Sequence, residues 1–377
     1  MARDTLIHKI PRLLRYLLMS EVKISSGCSI NYLIKQIDLN SRVSLVFEKD
    51  ASFSLGAEGF FISCIIALSR LGSLDQVKIH LSSAELSQHG IKDSYLCLPC
   101  FINICIQDVV VVDRYDEVIT EKLVEEVGST VDMDYGAYES GQSYSLYALD
   151  PYFVHPPILN LGSAEPSETD FRSLLGPKIE QCMVGDTKSA RKSLGKIVSS
   201  MSLYVFLKEV WENTIHHARS TSVSLRYMKV SRVIYNSLSE IENSDLPIAL
   251  SSYLKFRFQK DGAKKYLIID IVDSGSGIFD TLKGALPGQT KTEVVRSAFQ
   301  KNSTSKIQRA PISRGLGLFA AMECAHKLKG LVVMTTSGVL CLNYDYKSDE
   351  FLPETHVTDL NLPVDNLSTS LSLIIPV

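Results

Sequence analysis

The stretch that decides the fold is LIIDIVDSGSGI, residues 267–278. Its mostly apolar first half, residues 267–272, predicts a buried strand. Asp273 follows at the end of that strand, and Gly275 and Gly277 come next. Because glycine has no side chain, backbone at these positions can turn tightly and approach a neighbour closely. The pattern predicts a strand that ends in an acid and a close-approach turn, and the flanking segments decide what the turn approaches.

A helix with a polar face comes before this strand. Residues 193–220 have helical periodicity, and Glu209, Asn213 and His217 are spaced four apart within them, so the three side chains share one face. A carboxamide oxygen such as that of Asn213 suits Mg²⁺. A carboxylate such as that of Glu209 can orient or deprotonate a nucleophile. Taken alone, the same spacing also fits a solvated helix face.

A second glycine motif comes after the strand. Gly315 and Gly317 belong to RGLGL, residues 314–318, which precedes FAAMECAHKLKG, a predicted helix that ends near Gly330. Glycines at the start of a helix allow backbone N–H groups to face an anion at the positive end of the helix dipole. A tight loop before a helix is the alternative interpretation.

The three motifs occur in an informative order. E-x-x-x-N on a helix, D-x-G-x-G-I after a strand and G-L-G-L before a helix together resemble the GHKL superfamily of ATP-binding domains, which includes gyrase, heat-shock chaperones, histidine kinases and mismatch-repair proteins. The resemblance covers about residues 165–376. It implies an α+β chain with a C-terminal α/β sandwich, in which a helical layer covers a mixed sheet, and it implies ATP and Mg²⁺ as cofactors.

The resemblance also implies a role for each matching residue. Asp273 would accept a hydrogen bond from the adenine amine, and Gly275 and Gly277 would let the chain pass close to the nucleotide. Asn213 would bind Mg²⁺. Glu209 would position or activate the attacking water.

The resemblance implies that residues 279–314, between the two glycine motifs, form the ATP lid. Its AFQKNSTSK, residues 298–306, resembles the lids of many GHKL domains. The expected contacts to the nucleotide on this side are Thr304, Lys306, Arg314, Gly315, Leu316 and Gly317.

Two departures from the family pattern concern individual residues. Ser313 occupies the place of the first glycine in G-x-G-L-G-L. The family also carries a late Gly-Thr, whose threonine lies near the adenine, and here that glycine is missing. Two residues compete for the place of the threonine: Thr355, before HVTDLNLP, and Thr369, before SLSLIIP. Both precede an alternating pattern that predicts a strand, and we select Thr355.

The N-terminal half has a different pattern. Strand, helix and strand signals follow one another and predict a smaller α/β layer with parallel pairing, which resembles STAS-like domains. The segments are residues 42–48, 54–72, 77–82 and 102–112. The predicted division is an N-terminal domain over 1–127, a linker-like region over 128–168 and the ATP-binding domain over 169–377.

Two local features of this half have ordinary explanations. Residues 6–19 predict an amphipathic helix, for which a membrane-surface role is the alternative. Cys97 and Cys100 have a spacing seen in zinc and redox sites, but their apolar surroundings favour buried thiols.

The whole-chain composition excludes several classes. The chain has 377 residues, 45% of them hydrophobic and 21% charged, which is typical of globular proteins. A net charge of −3 gives no basic field for nucleic acid. No apolar run is long enough to span a bilayer, and we expect a cytoplasmic protein without a signal peptide.

Three functions fit this sequence. We expect a protein that binds and hydrolyses Mg-ATP, with nucleotide state switching the lid and the contacts to a protein partner. The alternatives are a serine/threonine protein kinase of the anti-sigma type and an ATP-dependent switch that does not hydrolyse. The sequence leaves a homodimer open.

Overall fold

The computed structural model describes twelve segments of the chain. They are residues 19–89, 109–126, 137–140, 143–150, 168–182, 188–217, 224–300, 317–343, 346–347, 351, 355–362 and 367–377. The expected helix over 6–19, apart from Met19, and the pair Cys97 and Cys100 lie outside these segments.

Helices and strands alternate in the first part of the chain and form longer runs in the second. The strands are β1 Met19–Ile24, β2 Arg42–Phe47, β3 Leu74–Lys78, β4 Val110–Val112, β5 Ala137–Ser140, β6 Ser143–Asp150, β7 Ser224–Ile234, β8 Lys265–Asp273, β9 Leu331–Thr336, β10 Val339–Asn343, β11 Thr355–Asp359 and β12 Ser370–Pro376. The helices are α1 Ile30–Gln36, α2 Ala57–Arg70, α3 Ser83–His89, α4 over residues 120–126, α5 Glu168–Cys182, α6 Lys188–Val198, α7 Met201–His217, α8 Leu238–Asn243, α9 Ile248–Asp261, α10 Ile278–Leu282, α11 Lys291–Ser297 and α12 Gly317–Lys327.

The first sheet has four parallel strands in the order β1-β2-β3-β4. The expected parallel pairing of the N-terminal half is therefore confirmed. Right-handed crossovers between successive neighbours place the connecting helices on one face of a sheet, and α1 and α2 accordingly contact each other. Strand β1 and helix α1 had no counterpart among the predicted elements, because their segments are short and mix serines with apolar residues.

The second sheet has eight strands in the order β11-β10-β9-β12-β8-β7-β6-β5. Each adjacent pair is antiparallel, so the expectation of a mixed sheet is wrong. Strand β12 lies between β9 and β8, in the interior of the sheet. Strands β5 and β6 fall within the region expected to be a linker, and β6 pairs with β7 along its whole length.

Helix α2 joins the two sheets into one core. All its residues from Ala57 to Ser69 are buried. The reason is that the helix contacts β3 of the first sheet on one side and β8 and β12 of the second sheet on the other. One continuous apolar cluster includes residues of the first sheet, of α2 and of the second sheet. Full burial of a side chain such as Phe60 or Phe61 stabilises the fold by about 2–3 kcal/mol, so this contact contributes strongly to stability.

The opposite face of the second sheet carries a separate apolar cluster beneath α5, α6, α7 and α12. The single helix predicted over 193–220 is in fact two helices, since α6 ends at Val198 and α7 begins at Met201. Ser200 accepts a hydrogen bond from the Leu203 backbone N–H at 3.2 Å. A serine at this position caps a helix N-terminus and accounts for the break.

Helix α8 begins directly after Ser237, which caps it by accepting a hydrogen bond from the Glu240 N–H. Across the segments described above, none of the helices combines the length and the apolar character that crossing a bilayer requires.

Candidate functional site

Strand β8 delivers Asp273 to the helical face of the second sheet. Side chains alternate along a strand, and Leu267, Ile269 and Ile271 lie in the cluster beneath α7 and α12. Asp273 continues this alternation and therefore faces the same side. It is 9% exposed, so an ionisable group lies at the end of an otherwise apolar row.

Strand pairing places three polar residues in line with Asp273. Arg226 on β7 is directly opposite Asp273 on one side. On the other side the Asp273 N–H donates to the Thr369 carbonyl at 2.9 Å, and the Thr369 and Thr336 hydroxyls lie 3.0 Å apart. A basic, an acidic and two hydroxyl side chains thus lie next to one another across four strands.

The turn after Asp273 is held by backbone contacts. The Gly275 N–H donates to Asp273 Oδ1 at 2.7 Å. Gly277 has φ +85°, and a Cβ there would lie 2.6 Å from the Leu367 carbonyl oxygen and would collide with Ser337 Oγ. The protein's own packing therefore requires a glycine at position 277. The sequence prediction had a different reason for this glycine, the close approach of a nucleotide.

Burial dominates the electrostatics of Asp273. It raises the pKa of the carboxyl to about 6, although the N–H groups of Gly275 and Thr369 and the charges of Arg70 and Arg226 act in the opposite direction. The carboxyl therefore titrates close to neutral pH. Perturbed acids of this kind concentrate at functional sites.

Helix α7 brings Glu209 and Asn213 to the start of α12. A Cβ built on Gly317 would lie 3.0 Å from Glu209 Oε2 and 3.2 Å from Asn213 Nδ2. The two helices approach so closely at this point that a side chain on Gly317 would push both polar groups back by a few tenths of an ångström. The structure thus brings together the two motifs that the sequence separates most widely.

One predicted residue is far from the others. Thr355 begins β11, the outermost strand of the second sheet, and pairs with Asn343. Strands β10, β9 and β12 separate it from β8, which corresponds to roughly 19 Å at the usual strand spacing. The structure therefore does not bring Thr355 to Asp273, and Thr369 occupies that position.

Several predicted contacts lie outside the described residues. They are Thr304, Lys306, Arg314, Gly315 and Leu316. The described part of the expected lid, residues 279–300, contains most of α10 and all of α11.

Sequence reasoning missed two arginines at this site. Arg226 is 1% exposed, and its guanidinium lies over the Trp211 ring at 5.3 Å from the centroid. Arg70, the last residue of α2, donates to the carbonyls of Ser274 and Gly275. No local pattern marks either residue, since both meet Asp273 only through tertiary structure.

The oxygen groups present are compatible with a magnesium ion that relies mainly on phosphates. Asn213 and Glu209 offer a carboxamide and a carboxylate oxygen, and Mg²⁺ commonly takes only one or two ligands from the protein. Within the described segments there is no group of three or more His, Cys, Asp and Glu side chains that could hold a metal by itself.

A scan against protein-family models and a search of curated proteins found no match to this chain.

Proposed function

We propose that this protein binds Mg-ATP in the space bounded by α7, the start of α12 and the end of β8, and that it hydrolyses the nucleotide. The observation that carries the proposal is the convergence of Glu209 and Asn213 on Gly317. Asp273 belongs to the third motif and faces the same helical layer from the end of β8.

The adenine side of the proposed site rests on Asp273. Its ionised carboxylate would accept a hydrogen bond from the adenine amine, and the neighbouring Thr369 hydroxyl would supply a second polar contact near the base. Because burial raises the pKa of Asp273 to about 6, the carboxylate is mostly ionised at pH 7 and above. A buried hydrogen-bond acceptor such as this carboxylate strongly favours a ligand that carries a donor at that position over one that carries an acceptor.

The phosphate side rests on α7 and the start of α12. Asn213 would hold Mg²⁺, which when bound neutralises charge on the phosphates. Glu209 lies one helical turn away on the same face and would orient the attacking water or accept its proton. A positioned general base contributes about 10²–10⁴-fold to a rate.

Calorimetry with Asp273→Asn tests the adenine contact. The wild-type protein should bind ATP with Mg²⁺ present and lose most of its affinity when EDTA is added. Asp273→Asn should remove ATP binding, because an amide offers a donor on one side where the carboxylate offers only acceptors. Asp116→Asn, in the N-terminal half, is the matched control, because the Asp116 side chain is 69% exposed.

Two results would overturn the proposal. One is a wild-type protein that binds no ATP, and the other is a folded Asp273→Asn protein with unchanged affinity. Transfer of the γ-phosphate to a serine or threonine of a partner protein, without release of free phosphate, would replace hydrolysis by the kinase alternative.

A further inference from the structure

The turn that carries Asp273 is held from the side of the N-terminal sheet. Arg70 ends helix α2, and its Nη1 donates to the Gly275 carbonyl at 3.1 Å while Nη2 donates to the Ser274 carbonyl. Both acceptor residues are buried. Hydrogen bonds from a charged donor are stronger than those between neutral groups, so this contact fixes the orientation of the turn.

One peptide group connects Arg70 to Asp273. The Ser274 carbonyl and the Gly275 N–H belong to the same planar unit. Arg70 donates a hydrogen bond to the carbonyl oxygen of this unit, and the N–H of the same unit donates to Asp273 Oδ1 at 2.7 Å. Hydrogen bonds in a chain polarise one another, and the guanidinium therefore strengthens the N–H that orients the carboxylate.

Helix α2 cannot easily move the guanidinium away. The helix is buried from Ala57 to Ser69. Near its beginning, Glu58 is bound by the Tyr227 hydroxyl at 2.7 Å and by the Lys229 ammonium. Both ends of the helix are therefore tied to the second sheet, at β7 and at the turn after β8.

We propose that Arg70 is a positioning residue for base recognition, so that the N-terminal half completes the adenine side of the site. The inference rests on the proposed ATP binding. Arg70 acts through the peptide between Ser274 and Gly275 and touches no part of the nucleotide. It controls how well Asp273 distinguishes an amine from a carbonyl on the base, and it leaves the phosphate contacts of α7 and α12 unchanged.

The test compares ATP with inosine triphosphate, which carries the same ribose and phosphates but a carbonyl in place of the adenine amine. Titration calorimetry with Mg²⁺ gives both affinities for wild-type, Arg70→Ala and Arg70→Lys proteins. Arg70→Ala should lower the affinity for ATP about tenfold and change the affinity for inosine triphosphate by less than about twofold. Arg70→Lys keeps the charge but loses the two-point fork, and should lie between.

A pH series supplies a second readout. ATP affinity of the wild type should rise as Asp273 ionises. In Arg70→Ala the midpoint of that rise should move to higher pH, since a weaker N–H donor and the loss of a nearby positive charge both disfavour the carboxylate. The charged groups facing Asp273 in the described structure are Arg70 and Arg226, and Arg226 is retained in every variant.

Arg42→Ala is the matched control. Arg42 lies on β2 of the N-terminal sheet, where it pairs with Asp75 of β3 at 2.6 Å. It should leave both affinities unchanged. If Arg70→Ala does not fold, the ratio of affinities in Arg70→Lys and Arg70→Gln decides the question.

The possible failures are distinguishable. A folded Arg70 variant that retains the wild-type ratio of ATP to inosine triphosphate affinity, or loses both affinities equally, overturns the role of Arg70 alone. A wild-type protein that binds neither nucleotide overturns the proposed function and this inference together.

Discussion

Replacing Asp270 with asparagine should stabilise the folded protein, by an amount that grows with pH. Asp270 is 4% exposed on β8 and faces α2. Burial raises the pKa of its carboxyl to about 7; a hydrogen bond from Ser372 lowers the pKa, the Glu58 charge raises it and the Lys229 charge lowers it. Asparagine keeps an acceptor for the Ser372 hydroxyl and carries no ionisable proton, so it avoids the cost of burying a charge.

The size of the effect follows from the two pKa values. An aspartate in the unfolded chain has a pKa of about 4. Between about pH 4 and pH 7 the folded state therefore holds a proton that the unfolded state releases, and stability falls as pH rises through this window. The full penalty at pH 8 is on the order of 4 kcal/mol, of which about 1.4 kcal/mol is present at pH 5.

Equilibrium unfolding in urea at pH 5 and pH 8 measures this difference. The free energy of unfolding of Asp270→Asn should exceed that of the wild type by about 1.4 kcal/mol at pH 5 and about 4 kcal/mol at pH 8. Because the variant is compared with the wild type at the same pH, the effects of all other titrating groups on stability cancel. An advantage of equal size at both pH values would show that folded Asp270 titrates near its ordinary pKa, and would refute the reasoning.

Asp245→Asn is a control of opposite sign. Ser29 Oγ donates to the Asp245 carboxylate at 2.7 Å and Asn31 Nδ2 donates at 3.1 Å, and these hydrogen bonds lower the pKa of the carboxyl. Its contribution to stability is complete above the unfolded pKa of about 4 and is lost only as pH falls through the folded pKa. The variant should therefore be less stable than wild type by the same amount at pH 5 and pH 8.

Three further predictions concern the proposed nucleotide site. Glu209→Gln should bind ATP normally and hydrolyse it about 10²–10⁴-fold more slowly; wild-type phosphate release in this variant would remove Glu209 from catalysis. Gly317→Ala should fold, since alanine favours helices, yet hydrolyse more slowly because its Cβ shifts the side-chain ends of Glu209 and Asn213 by a few tenths of an ångström; normal turnover would show that their exact position is not critical. Thr369→Val should weaken ATP binding and Thr355→Val should not, and calorimetry showing the reverse would contradict the sheet order as the guide to the site.

The sequence predicts the site best where function and local pattern coincide. Asp273 ends a strand of apolar residues, and Glu209 and Asn213 share a helix face, so spacing alone identifies them. The choice between Thr355 and Thr369 is different. Each precedes an alternating strand, and only the position of that strand in the sheet, which local sequence does not encode, separates them.

The rest depends on long-range pairing. Arg226 meets Asp273 because of the register between β7 and β8, and Arg70 does so because α2 lies between two sheets. The prediction of a linker over the region of β6 rests on the surrounding glycine, serine and proline residues, although tyrosines such as Tyr144 favour strands. In each case the structure depends on a contact with a segment that is distant in sequence, and neither local propensity nor periodicity predicts such a contact.

The interior position of β12 has a consequence for how the protein is made. A ribosome adds about 5–20 residues per second, so on the order of 5–20 s separates the synthesis of β8 from that of β12. Throughout that interval the edge of β8 that β12 later pairs with has no partner from β12, and an unpaired apolar strand is a site for aggregation. The nascent chain should therefore depend on chaperones until residues 370–376 emerge, and a premature stop codon before them should yield aggregated protein.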